Sequence, residues 1–126
     1  MITIFLADLY HDFQRKGSCT PTNAAFIASY CKKIHGNNIE IKLFKEYEKL
    51  LKEAKKNPPD ILGLANYMWS EALNRACAVK LKKINPNLLV VSGGPNIKTD
   101  KIGVEIFLNK NKYVDHYILF GAEVPF

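Results

Sequence analysis

Short apolar runs recur along this chain, and the residues between them carry apolar side chains at helical spacing. That alternation narrows the fold more than any other feature. Ile2 to Ala7 reads as a strand, as do Ile39 to Phe44, Ile61 to Ala65, Leu88 to Val91 and, more weakly, Asp115 to Leu119. The first, third and fourth are nearly unbroken in apolar residues, the mark of parallel strands buried on both faces. Phe26, Ile27, Tyr30, Cys31 and Ile34 form one helical stripe, introduced by Thr20-Pro21, a cap followed by a first-turn proline. Tyr47, Leu50, Leu51 and Ala54 form a second, and Leu73, Cys77, Leu81 and Ile84 a third, with Ser70 as its expected cap and Glu71 in its first turn. A fourth helix is expected from near Asp100, carrying Ile102, Ile106 and Phe107 and weakened by Gly103.

Strand and helix in strict alternation predict an α/β fold: a doubly wound, Rossmann-like sheet of five parallel strands in the flavodoxin-like order 2-1-3-4-5. Ligands of such sheets lie beyond the carboxyl ends of the strands, at the switch point between the first and third. Three loops should meet there: Asp8 to Cys19, Asn66 to Ser70 and Gly93 to Thr99. Two helix exits echo each other, "KKNPPDILGL" (55–64) and "KKINPNLLVV" (82–91). Each closes a helix with cations, stops it with proline and starts an apolar strand. No helix-forming sequence follows the fifth strand, so residues 1–126 are expected to be one domain, the N-terminal part of a longer protein.

The totals agree with one soluble domain. A chain of 126 residues buries roughly two-thirds of its unfolded surface. No stretch reaches the ~18 apolar residues of a membrane span, and "MITIFLAD" is too short and lacks a basic leader for a signal peptide. Cys19, Cys31 and Cys77 form no CxxC pair, so a reduced, cytoplasmic setting is the expectation. The formal charge of +6 comes largely from lysines at helical positions 45, 49, 52, 55, 56, 80, 82 and 83. A nucleic-acid surface would interleave arginines and aromatics with them; arginine is scarce, and these lysines read as solvated helix faces.

The chemistry must then come from the loops. A nicotinamide site wants GxGxxG after the first strand, whereas the loop here is "DLYHDFQRKGSCTPT" with a single glycine. A phosphoacceptor receiver wants an aspartate ending the third strand, which instead ends Ala65-Asn66. "GSCTPT" offers Ser18, Thr20 and Thr22 to a flavin mononucleotide phosphate at a helix N-terminus, although hydroxyls there also serve as caps. In "LLVVSGGPN" (88–96) an apolar strand stops at a double glycine. That is either a tight turn or a place where something large lies against the backbone.

Three segments in order carry a resemblance: "PDILGLANYMWS" (59–70), "NPNLLVVSGGPN" (85–96) and "YVDHYILFGAEVPF" (113–126). Over nearly its whole length the chain resembles the cobalamin-binding domain that precedes the radical S-adenosylmethionine (SAM) domain in one enzyme superfamily. The resemblance implies a corrin ring over the strand ends and a nucleotide tail running beside the fourth strand, past Gly93 and Gly94. It implies hydrogen bonds from Asn66, Ser70 and Ser92, an apolar wall of Tyr67, Met68 and Trp69, and contributions from Pro95 and Glu123. It also implies a following radical SAM domain in the same polypeptide, which would hold SAM and a 4Fe-4S cluster. Neither a membrane nor nucleic acid is an expected partner. In that family the cobalt carries a methyl group to an unactivated carbon, or assists rearrangement or ring formation.

The departures are specific. Methionine-synthase-like domains carry DxHxxG, whose histidine ligates cobalt. Here Asp8 and His11 are spaced DxxH, leaving His11 as a candidate lower axial ligand beside the reading of a solvated loop histidine. The usual Gly-Glu-Gly-Glu reads Phe120-Gly121-Ala122-Glu123, so only Glu123 matches. No CxxxCxxC occurs, and no catalytic dyad is visible, so no catalysis is expected from this segment alone. The alternatives are a flavin mononucleotide-binding electron-transfer module and a ligand-free interaction domain. If the glycines leave room for the tail, Gly94→Val should abolish cobalamin binding and leave the fold largely intact.

Overall fold

The structure is a computed structural model that describes residues 1–9, 22–68, 70–95 and 97–119. Five parallel strands, β1 (Ile2–Ala7), β2 (Ile39–Phe44), β3 (Ile61–Ala65), β4 (Leu89–Gly93) and β5 (His116–Ile118), alternate with four helices, α1 (Thr22–His35), α2 (Tyr47–Lys56), α3 (Glu71–Ile84) and α4 (Lys101–Lys110). The sheet order is β2-β1-β3-β4-β5, as the alternation predicts. Strand registers place Phe5 beside Leu62, Leu62 beside Val90, and Ser92 beside Tyr117. One sheet face therefore carries Phe5, Ala7, Leu62, Leu64 and Val90. Leu50 and Ala54 of α2 and Cys77, Ala78 and Leu81 of α3 complete that core. The other face carries Ile4, Leu6 and Ile39 and packs against Ala24 and Cys31 of α1. Among the described residues, no helix is long and apolar enough to cross a membrane.

The helices depart from expectation in their rotation. On α1, Phe26 and Ile34 are exposed, and the core side runs through Ala24, Ile27, Ala28 and Cys31. Small side chains let the helix lie close to the sheet, so the bulky residues move to its flank. On α4, Ile102 and Ile106 are exposed while Gly103 is buried. A Cβ added to Gly103 would fall 2.5 Å from the Lys98 Cβ and 2.8 Å from the Lys98 carbonyl oxygen. The glycine that weakens the helical pattern is thus its point of closest approach to the preceding turn. The Thr20-Pro21 cap lies outside the described residues.

Two aspartates start strands in the same way. The Asp60 N–H donates to the Thr3 carbonyl at 2.8 Å, and the Asp60 carboxylate accepts from the Thr3 N–H at 2.9 Å. The Asp115 N–H donates to the Val90 carbonyl at 2.9 Å, and its carboxylate accepts from the Val90 N–H at 2.8 Å. Each carboxylate replaces a missing backbone acceptor at the strand's amino end, where a buried N–H would otherwise be unpaired. The echoing exits of α2 and α3 also close alike, with the Asn57 and Asn85 N–H groups each bonded at 2.8 Å to a helix carbonyl, those of Glu53 and Leu81.

Candidate functional site

The carboxyl ends of β1, β3 and β4 meet as the topology requires. Strand β4 does not stop before the glycines: Gly93 is its last residue and pairs with Ala65 on one side and Ile118 on the other. The turn belongs to Gly94, whose φ is +130°. A Cβ there would fall 2.5 Å from the Asn66 carbonyl oxygen and 3.0 Å from the Asn66 nitrogen. A Cβ at Gly93 would lie 3.2 Å from the Ile118 carbonyl oxygen. Glycine is therefore required at Gly94 by its φ and the close approach of Asn66, while a side chain at Gly93 would be tight against Ile118. This corrects the expectation for Gly94→Val: valine would meet the backbone of β3's exit, so the variant tests the fold before it tests a ligand.

The polar side chains expected to face a ligand turn inward. Asn66, Ser70 and Ser92 are 2%, 0% and 3% exposed. The Ser70 hydroxyl accepts from the Tyr67 N–H at 3.1 Å and donates to the Ala65 carbonyl at 3.0 Å. It thus builds the loop before α3 and does not cap the helix, which has no side-chain cap bond from it. The Asn74 Nδ2 donates to the same Ala65 carbonyl at 2.9 Å, while its buried Oδ1 has no partner among the described residues. The Ser92 hydroxyl donates to the Leu64 carbonyl at 3.3 Å.

Asn66 sits at the centre of a knot. Its N–H donates to the Gly93 carbonyl at 2.6 Å, and its Nδ2 donates to the Tyr117 hydroxyl at 3.2 Å. That hydroxyl donates to the Gly94 carbonyl at 2.7 Å. Burial pushes the Tyr117 phenol up from its usual range, partly offset by the Asn66 hydrogen bond, so it remains a donor at neutral pH. The only sequence signal for Tyr117 is position: a tyrosine in the strand that neighbours the one ending in Gly-Gly.

Among the described residues just beyond β3 and β4, apolar side chains and side-chain-free main chain reach the surface. Met68 is 81% exposed, Tyr67, Gly93 and Gly94 are half-buried and Pro95 is exposed. Asp8 closes β1, its N–H donating to the Phe44 carbonyl at 2.9 Å. Burial raises its carboxyl above the ordinary range, and Lys45 partly offsets this. No cluster of three histidine, cysteine or acidic side chains that could hold a metal ion occurs among the described residues. His11, Trp69 and Glu123 lie outside them.

The fold defines a class: a flavodoxin-like, doubly wound domain of five parallel strands. No protein-family profile matches the chain. Over 68 residues, 54% of its length, it is 38% identical to the cobalamin-dependent radical SAM methyltransferase TokK of Streptomyces tokunonensis, and it spans 10% of that protein. The resemblance read from the sequence thus has a counterpart in a characterised relative. Among solved structures, a cobalamin-binding protein from Desulfitobacterium hafniense matches 93% of the chain at a TM-score of 0.66 and 15% identity, over 52% of its own length. A LuxR-family DNA-binding response regulator from Staphylococcus aureus matches 99% of the chain at a TM-score of 0.57 and 16% identity, over 92% of its own length. At such identities these two matches speak for the fold. The chain spans about a tenth of the curated relative and about half of the cobalamin-binding protein.

Proposed function

We propose that this chain is a cobalamin-binding domain that presents the cofactor to a radical SAM domain of the same polypeptide, in a cytoplasmic enzyme of the methyltransferase type. The observation that carries the reading is the 68-residue similarity at 38% identity, in a chain whose parallel sheet has the order β2-β1-β3-β4-β5. When bound, cobalamin supplies a cobalt centre able to hold and pass on a methyl group. SAM and an iron–sulfur cluster belong to the partner domain.

The exposed residues fit such a group. A large, mostly neutral ring with amide arms calls for apolar walls and a few main-chain partners. Tyr67, Met68 and Pro95 provide the first, and the side-chain-free stretch at Gly93 and Gly94 provides the second. Asn66, Ser70 and Ser92 act on the ligand indirectly, by holding the two loops in shape. The resemblance adds Trp69 and Glu123 as further cofactor contacts and His11 as the candidate cobalt ligand, all outside the described residues. The domain's role is binding and orientation; the reactivity is the cofactor's.

Titration of the purified chain with hydroxocobalamin tests this. A saturable change in the corrin's visible spectrum at one equivalent is expected, with no response to flavin mononucleotide. A response to the flavin alone would favour the flavin-binding alternative, and no response to either would favour the ligand-free interaction domain.

A further inference from the structure

We propose that Tyr117 is a positioning residue for this site, setting the separation between the loop after β3 and the turn after β4. The proposal rests on the cobalamin reading above and adds to it a residue that touches no ligand. The main chain alone fixes part of this mouth, through the 2.6 Å bond from the Asn66 N–H to the Gly93 carbonyl. One residue further, at Gly94, the chain turns with φ +130°, and glycine there leaves the next peptide plane free to rotate. The Tyr117 hydroxyl holds the Gly94 carbonyl at 2.7 Å and receives the Asn66 side chain at 3.2 Å. A single phenol thus bridges the loop after β3 and the turn after β4.

The phenol is itself anchored. Tyr117 lies in register with Ser92 of β4, whose buried hydroxyl bonds the Leu64 carbonyl of β3. Its ring stands edge-on to Phe107 of α4, with centroids 5.1 Å apart at 72°. The two loops are therefore referenced to the α4–β5 unit on the far side of the sheet. Without the hydroxyl, the Gly94 peptide must be ordered when a ligand binds, and that ordering weakens binding.

Tyr117→Phe removes both bonds and keeps the ring. In the 126-residue chain it is expected to raise the Kd for hydroxocobalamin about tenfold, the size of one lost hydrogen bond. It should also shift the Gly94 carbonyl carbon resonance in the ligand-free protein, while the far-ultraviolet dichroism stays that of the parent. Tyr113→Phe, a tyrosine on the connection into β5, should do neither. If the parent binds and Tyr117→Phe binds equally well, the positioning role is wrong and the cobalamin reading survives. A parent that binds no hydroxocobalamin overturns both. Should Tyr117→Phe fail to fold, Phe107→Leu loosens the ring's seat and keeps the hydroxyl; a several-fold rise in Kd would support the role, and an unchanged Kd would overturn it.

Discussion

At the scale of single residues, Gly94 and Asp8 show how a side chain, or its absence, is set by what surrounds it. Gly94 combines a backbone angle that L side chains avoid with a neighbour 2.5 Å from any added Cβ. Gly94→Val should lower unfolding free energy by on the order of 3 kcal/mol, the sum of backbone strain and overpacking. Denaturant unfolding of the ligand-free chain measures it, and a stability equal to the parent's would mean that the turn can open away from Asn66. Asp8 carries a carboxyl whose pKa burial raises. A raised native value means the folded state holds its proton more tightly than the unfolded chain. Stability is therefore lost as pH rises from the unfolded value through the folded one. Asp8→Asn should melt higher than the parent at pH 7, and the gain should vanish below about pH 4, where both forms are neutral. Paired thermal melts at the two pH values check the sign.

At the scale of elements, α4 is the informative case. Pattern alone makes Gly103 a weak point in a helix carrying Ile102, Ile106 and Phe107 as its apolar residues, of which Phe107 does pack inward, against Tyr117. The structure turns that helix so that the glycine faces inward and both isoleucines face out. By helix propensity, Gly103→Ala should stabilise by about 1 kcal/mol. By packing, its Cβ would collide with Lys98 and Asp100, at a cost of about 1–3 kcal/mol. We expect packing to win, with a net loss near 1 kcal/mol by urea unfolding; a gain would show that the 98–100 turn yields easily. The rotation of α1 has the same cause. Helical spacing marks where apolar side chains recur, while the partner surface selects which of two adjacent stripes is buried. Around α1, the small Ala24, Ala28 and Cys31 lie against the sheet and Phe26 does not.

At the scale of the whole molecule, strand count, strand direction and order were all legible. They follow from unbroken apolar runs, from crossover helices too long for hairpins, and from the handedness of βαβ units. Order 2-1-3-4-5 sets the switch point, the candidate mouth, between β1 and β3. The roles of the residues at that mouth were less legible. The resemblance makes Asn66, Ser70 and Ser92 ligand contacts. In the fold their side chains also bond carbonyls at the carboxyl end of β3 and the Tyr117 hydroxyl, because a buried strand end must satisfy its polar groups. The ion pair between Lys82 and Asp115, 3.1 Å apart, is likewise invisible in a sequence that separates its partners so widely.

Local order decided the sheet: periodicity, prolines after helix exits and apolar strands are properties of neighbouring residues, and they survive reading along a line. Which glycine is tight, which face of a helix is buried and which tyrosine holds the mouth are properties of residues brought together from β3, β4, β5 and α4. Only the folded chain could decide these, because the distances that make a Cβ impossible at Gly94 or a hydroxyl useful at Tyr117 do not exist until the strands lie side by side.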